Sequence, residues 1–291
     1  GIFFAILACI IWSGNFIAAR AVINDIPPVS LAFFRWSIAT LILLPFAFRK
    51  FLREKHLVTA NKNYFIWTSL FGVAIFNTFL YIAAHTTTAI NMALIGTCSS
   101  PIFSVVFAAV FLKERVSILR VMGMLVMLAG IIYLVARGSW ERLAHFHFTT
   151  GDLWVLGAAI FFAGYNIMVR KKPKQISPLV FLFITFLFGS VLLLPFWFWE
   201  IRQSGPIEWT TNLFLTVLYL ALGTSVIAFL LWNFSIARLG AARTALFGNL
   251  IPLFSSLEAV WLLNEKITVV HLVSGALIIA GLIIVNLRKA A

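Results

Sequence analysis

The stretch PIFSVVFAAVFLKE at residues 101–114 has a second version, PLFSSLEAVWLLNE, at residues 252–265. A shift of 151 positions carries Pro101 onto Pro252 and Glu114 onto Glu265. The same shift carries Gly72 onto Gly223, Leu80 onto Leu231 and Gly130 onto Gly281. Nearer the N-terminus a shift of 150 carries Gly14 onto Gly164, Ile17 onto Ile167, Arg20 onto Arg170, Pro28 onto Pro178 and Pro45 onto Pro195. The chain is a duplication with almost no gaps, so its fold follows from what one unit contains.

Each unit is too apolar for water. The chain is 62% apolar and 11% charged, against about 45–50% and about 25% in soluble domains. Its apolar runs are long and continuous rather than alternating, which selects helices over a barrel as the structure that satisfies the backbone in lipid. Ten candidate helices fall at 2–22, 29–48, 64–84, 90–112, 117–136, 152–170, 178–199, 212–235, 242–263 and 268–287. The opening apolar run continues through Cys9 to Ala19 and reads as a retained helix rather than a cleaved leader. Residues 1–136 form the first five-helix repeat, 137–151 a connector, and 152–291 the second repeat. An odd number of spans per unit inserts the second copy upside down. The expectation is an all-α membrane protein with ten transmembrane helices as two inverted five-helix repeats, the plan of many secondary transporters.

The formal charge of +13 is distributed as a topology signal. Arg49, Lys50, Arg53, Lys55, Lys62, Lys113, Arg115, Arg120, Arg170, Lys171, Lys172, Lys174, Arg238, Arg243, Arg288 and Lys289 fall on one side of the alternating connections. Arg20, Arg137, Arg142, Arg202 and Lys266 fall on the other. The richer side is expected in the cytoplasm, with both termini. Short clusters between apolar runs are no basic face for nucleic acid. Cys9 and Cys98 lie inside apolar runs without metal-ligand spacing. No His-Glu-x-x-His, Gly-x-Ser-x-Gly or phosphate-cradling glycine loop occurs, and the nine carboxylates are scattered. The sequence calls for no metal and no cofactor.

Ser100-Pro101 to Leu112-Lys113-Glu114-Arg115, Ile251-Pro252 to Leu263-Asn264-Glu265-Lys266, and Trp12-Ser13-Gly14-Asn15-Phe16 in the first helix resemble the drug/metabolite transporter superfamily. The resemblance covers the whole chain. Within the superfamily the chain is most similar to bacterial inner-membrane exporters of amino acids, especially the aromatic type. The resemblance implies that helices 1, 3, 4, 6, 8 and 9 surround a central path with helices 5 and 10 behind. It also implies residence in a bacterial inner membrane.

The residues themselves suggest where substrate binds. Asn77, Tyr81 and His85 recur at four-residue steps and share one stripe of the third helix. Such a stripe faces either a path or a packing seam, since lipid repels it. His85, toward the outer end, is a candidate for proton coupling, which makes protons a candidate coupling ion. The corresponding stripe in the second unit is Ala228, Trp232 and Ile236, with Asn233 beside it. Trp12 and Asn15 in helix 1 and Tyr165 and Asn166 in helix 6 offer amides and rings suited to a zwitterion. Asn91 and Asn249 are weaker candidates of that kind. Pro101 and Pro252 lie near mid-helix and are candidate hinges, with a static kink as the alternative. Arg35 and Glu258 sit at similar depth and are candidates for an ion pair or a substrate contact.

These readings converge on a secondary transporter that exports small amphipathic metabolites by alternating access through a central cavity. Amino acids come first, with aromatic ones favoured. An exporter of drugs or nucleotide-like metabolites is the alternative, and a membrane-embedded enzyme ranks below both. The expected partners are a small-molecule substrate and the lipid bilayer.

Overall fold

The computed structural model describes residues 1–87, 89–139, 141, 144, 145, 149–263 and 268–287. These residues form helices without a strand. In chain order they are α1 (Ile2–Ala21), α2 (Pro28–Ala60), α3 (Lys62–Thr86), α4 (Ala89–Leu112), α5 (Ile118–Val135), α6 (Thr150–Arg170), α7 (Pro178–Ser204), α8 (Thr211–Leu239), α9 (241–263) and α10 (Val269–Asn286). Six of them, α2, α3, α5, α6, α7 and α8, are long and apolar enough to cross a membrane by length and composition. Shorter apolar helices cover Ile2–Asn15, Ser99–Leu112 and Val269–Val285. The outer surface carries bare apolar side chains such as Leu41, Trp199 and Phe46, the last 67% exposed. Lipid suits such a surface and water does not.

α2 runs to Ala60, well past the span of 29–48 expected from hydropathy. Between Pro45 and Asn61 there is no glycine or proline to stop it. Leu, Arg, Glu and Lys are good helix formers, so helix outlasts hydrophobicity. Asn61 then ends it, its side chain donating to Leu57 O at 2.8 Å.

α2 and α7 cap one another. Glu200, near the end of α7, accepts from Val29 N at 3.0 Å, Ser30 N at 2.6 Å and Ser30 Oγ at 2.8 Å. Glu54, near the end of α2, accepts from Ser177 N at the start of α7 at 2.9 Å. Each carboxylate therefore satisfies free N–H groups at the positive end of the other helix's dipole. Pro28 and Pro178 stand at the two helix starts, where their missing N–H costs nothing. The reciprocity puts the α2–α3 and α6–α7 turns on the same face of the molecule. In the latter turn burial pulls the Lys172 ammonium below the usual lysine range, while nearby Glu54 opposes the shift.

The register of the duplication recurs in irregular features. α3 widens into a π-helix over Leu70–Ile75 and α8 over Leu220–Ile227. α5 and α10 cross backbone to backbone: a Cβ on Gly123 would lie 2.5 Å from Gly281 O, and one on Gly281 would lie 2.5 Å from Gly123 O. The proline helices differ, however. α4 is α-helical through Pro101. α9 is Ala241–Phe247, then a 3-10 turn Gly248–Leu250, then Ile251–Leu263. The break begins at Gly248, the carbonyl four residues before Pro252 that its ring obstructs.

Candidate functional site

A cavity lies where the two sequence units meet. Trp12 and Asn15 of α1, Arg35 of α2, Phe76, Asn77 and Leu80 of α3, and Gly96, Ser100 and Pro101 of α4 line it from the first unit. Val155, Ala159 and Phe162 of α6, Phe229 and Trp232 of α8, and Ala245, Gly248 and Ile251 of α9 line it from the second. α5, α7 and α10 contribute no lining residue among those described.

Five aromatic rings gather on its wall. Trp12 and Trp232 have ring centroids 4.9 Å apart, and Phe162 stacks on Phe76 at 4.4 Å. Phe162 and Phe229 meet Trp12 edge-on at 5.9 and 5.5 Å. The rings come from α1 and α3 on one side and from α6 and α8 on the other. They present a flat apolar face to any occupant.

The polar feature of the cavity is Arg35, only 1% exposed. Its Nε donates to Ser225 Oγ at 2.6 Å. Its Nη1 lies near Asn15 Oδ1 at 3.1 Å, Asn77 Oδ1 at 2.8 Å and Tyr81 Oη at 2.6 Å. All four acceptors are neutral. Trp36 lends its ring face at 4.7 Å from Cζ. Among the described residues no carboxylate oxygen lies within 4.0 Å of Arg35. A buried cation is costly unless compensated. Asn77, 2% exposed, leaves its Nδ2 without an acceptor. The cavity thus holds one uncompensated positive charge and one spare amide donor.

The π-helical turn of α8 shapes this pocket. Ser225 reaches Arg35 while its hydroxyl donates to Leu220 O, five residues back, at 2.9 Å. Thr224 Oγ1 lies 3.3 Å from Asn15 Oδ1, and Thr224 O accepts from Trp12 Nε1 at 2.8 Å. The matching π turn in α3 carries Gly72, whose position admits no side chain because a Cβ would come within 2.1 Å of the Tyr165 ring. π turns are frequent at functional sites.

The expected site residues divide by place. Trp12, Asn15, Asn77 and Trp232 line the cavity, and Tyr81 meets it through Arg35. Tyr165, Asn166 and Asn233 form a network between helices: Tyr165 Oη donates to Asn233 Oδ1 at 2.9 Å, Trp232 Nε1 to Asn166 Oδ1 at 2.9 Å, and Asn166 Nδ2 to Ser104 Oγ at 3.2 Å. His85 is exposed and lines a separate cleft with the 23–28 and 204–210 connections. Asn249 is buried against α5, its Nδ2 3.6 Å from Met127 Sδ. The backbone of Asn91 belongs to α4, and its side chain lies outside the described residues, as does Glu265. Of the two prolines, Pro101 borders the cavity and Pro252 follows the 3-10 turn.

Arg35 and Glu258 have separate partners instead of a direct pair. Glu258 Oε1 is held by the Ser13 hydroxyl, whereas Arg35 engages Asn15. Both contacts are on α1, two residues apart and therefore about 200° around the helix. Each charge has its own partner on α1. Sequence reading missed Ser13, Thr224, Ser225 and the ring wall of Phe76, Phe162 and Phe229. Only the paired glycines Gly72 and Gly223 hinted at the π turns.

The profile of the EamA-like transporter family matches residues 1–136 and 149–287. An uncharacterized transporter of Archaeoglobus fulgidus is 24% identical over 288 residues, spanning 97% of this chain and 96% of its own. The uncharacterized transporter YyaM of Bacillus subtilis is 24% identical over 286 residues, spanning 97% and 92%. A Streptantibioticus cattleyicolor protein named "Probable terminal-alkyne amino-acid exporter" is 30% identical over 191 residues, 65% of this chain and 61% of that one. A solved crystal structure shares the fold with a TM-score of 0.78 at 20% identity, spanning 98% of this chain and 95% of its own.

Proposed function

The chain belongs to the EamA-like transporter family, and from that premise we propose that it is a secondary exporter of small amphipathic metabolites that carry a carboxylate, amino acids above all. Substrate occupies the cavity with its carboxylate on Arg35 and Asn77 Nδ2 and its apolar part against Trp12, Phe162 and Trp232. The observation that carries this reading is Arg35: a buried guanidinium with four neutral acceptors and, among the described residues, no carboxylate within 4.0 Å. An anionic group from substrate supplies the missing compensation through a charge-assisted hydrogen bond. The ring wall favours aromatic side chains. The relative named an amino-acid exporter supports the substrate class, and the transporter names of the full-length relatives weigh against an enzyme.

In this reading all ten helices span a bacterial inner membrane, as two inverted units with both termini in the cytoplasm. Reciprocal capping of α2 and α7 and the paired π turns support the inversion. The halves rock about the cavity, and the broken turn before Pro252 together with Pro101 supplies the bend. Export is tested in cells loaded with a phenylalanine-containing dipeptide. Cells making the protein should release phenylalanine faster than control cells, and cells making Arg35→Gln should match the control. Equal release from wild-type and control cells would refute the reading.

A further inference from the structure

A reason is visible for most glycines of this chain. A Cβ on Gly72 would come within 2.1 Å of the Tyr165 ring, one on Gly189 within 2.1 Å of Val73, and one on Gly164 within 2.7 Å of Phe71. Gly138, Gly205 and Gly240 have positive φ, where a side chain is strained. Gly248 has neither reason. Its φ of −54° and ψ of −25° suit any residue, and a Cβ on it would meet no described residue within 4 Å. The break in α9 does not need it either. The ring of Pro252 obstructs the carbonyl of residue 248 whatever side chain that residue carries. Glycine inside a helix is less favourable than alanine. Its missing side chain therefore costs stability and leaves room.

That room belongs to the cavity. Ala245, Gly248 and Ile251 recur at three-residue steps, share one face of α9, and all three line the cavity. Gly248 is the middle of that stripe, so a side chain there would project into the cavity. α1 packs on the same turn. Cys9 Sγ donates to Phe247 O at 3.1 Å, and Trp12, three residues on, lies on the same face of α1 and lines the cavity. The ring of Trp12 thus stands beside the turn that carries Gly248, with the Trp232 ring 4.9 Å from it. The other glycine of the wall is tighter: a Cβ on Gly96 would lie 3.3 Å from Val155 Cγ1.

We propose that Gly248 sets the upper size of the substrate side chain. The space left by its absent Cβ admits the ring of an aromatic amino acid next to Trp12 and Trp232. A side chain at position 248 would fill that space and leave room only for smaller amino acids. The mechanism is exclusion by volume, because a packed wall has little slack to take up an added group. The size limit rests on the amino-acid reading above, whereas the open space at position 248 does not.

Two measurements test it. Binding of L-phenylalanine and of L-alanine to the purified full-length protein in detergent is compared for wild type, Gly248→Ala and Gly248→Leu. A methylene more or less in an apolar pocket changes discrimination by roughly 10- to 200-fold. Gly248→Leu should lower the phenylalanine-to-alanine affinity ratio by about that factor, with Gly248→Ala between. Affinity for L-alanine should hold, because Arg35 still takes its carboxylate. Should Gly248→Leu fail to fold, the ratio in Gly248→Ala decides. Thermal unfolding supplies a readout that needs no substrate. Gly248→Ala should melt at or above the wild-type temperature while binding phenylalanine more weakly. A glycine kept for helix packing would instead give a lower melting temperature in Gly248→Ala, and that result would overturn the proposal. Wild type that binds neither amino acid would overturn the amino-acid reading and the size limit together. Wild type that binds phenylalanine with a ratio untouched in the folded variants would overturn the size limit alone.

Discussion

Replacing Arg35 by Gln removes the one charge among the described residues of the cavity wall and separates its two roles. The first role is structural. Ser225 keeps its bond to Leu220 O and Asn15 Oδ1 keeps Thr224 Oγ1. Asn77 Oδ1 and Tyr81 Oη have no other partner among the described residues. Each uncovered acceptor costs roughly 1–3 kcal/mol. Relief from burying a cation offsets part of that, so the variant should fold with a lowered melting temperature. The second role is binding. A hydrogen bond to a charged group contributes about 1.5–3 kcal/mol, which is roughly a 10- to 150-fold change in affinity. The assay measures binding of L-phenylalanine and of 2-phenylethylamine, which lacks the carboxylate, to purified protein. Wild type should favour phenylalanine by about that factor, and Arg35→Gln should bind the two alike. Arg35→Lys keeps the charge but not the planar fork, and should fall between. A folded Arg35→Gln that retains the wild-type preference would refute the reasoning, as would a wild type without one.

Three further outcomes follow from the geometry. Trp232→Phe keeps a ring beside Trp12 but leaves Asn166 Oδ1 without its donor. Loss of about 1–3 kcal/mol is expected in chemical unfolding, and no change would place the Asn166 network outside the stabilising contacts. Gly123→Val pushes a branched side chain against Gly281 O in the α5–α10 crossing. Overpacking of that kind costs about 1–3 kcal/mol or more, so the melting temperature should drop, whereas the same change at Gly205, where a Cβ would meet nothing within 4 Å, meets only its positive φ of 77°. Glu200→Ala removes three bonds from the start of α2 and should cost about 0.5–2 kcal/mol as a lost cap, with hydrogen exchange at Val29 and Ser30 rising first. Unchanged exchange there would mean that α2 does not depend on the cap.

Much of the architecture was written in periodicities. The 150- and 151-residue shifts, the apolar run lengths and the four-residue stripe of Asn77 and Tyr81 are local or self-referential patterns. They point to helices and to the face of α3 that meets the cavity. The alternating basic connections anticipated that residues near Glu54 and Ser177 share a face, and their hydrogen bond agrees. What sequence did not reveal is how helices turn toward each other. Depth alone put Arg35 and Glu258 level, but each is met by a different residue of α1, Asn15 for Arg35 and Ser13 for Glu258. The stripe was read onward to His85, yet that residue is beyond the cavity and exposed. A π turn has no distinct apolar period, so Ser225 looked like one more small polar residue in α8. Asn166 and Asn233 resembled Asn15 and Asn77 in type, and all four bond to neighbouring helices, but Asn15 and Asn77 also line the cavity, a distinction that needs the third dimension.

The most direct test of the carrier account is counterflow. Proteoliposomes loaded with unlabelled L-phenylalanine are diluted into a trace of labelled L-phenylalanine, with 2-phenylethylamine as the competitor lacking a carboxylate. The account predicts transient accumulation of label above equilibrium, dependent on the internal load, weakly affected by the amine and abolished in Arg35→Gln. Label that only equilibrates, or accumulates equally without internal phenylalanine or with Gln at position 35, would contradict it.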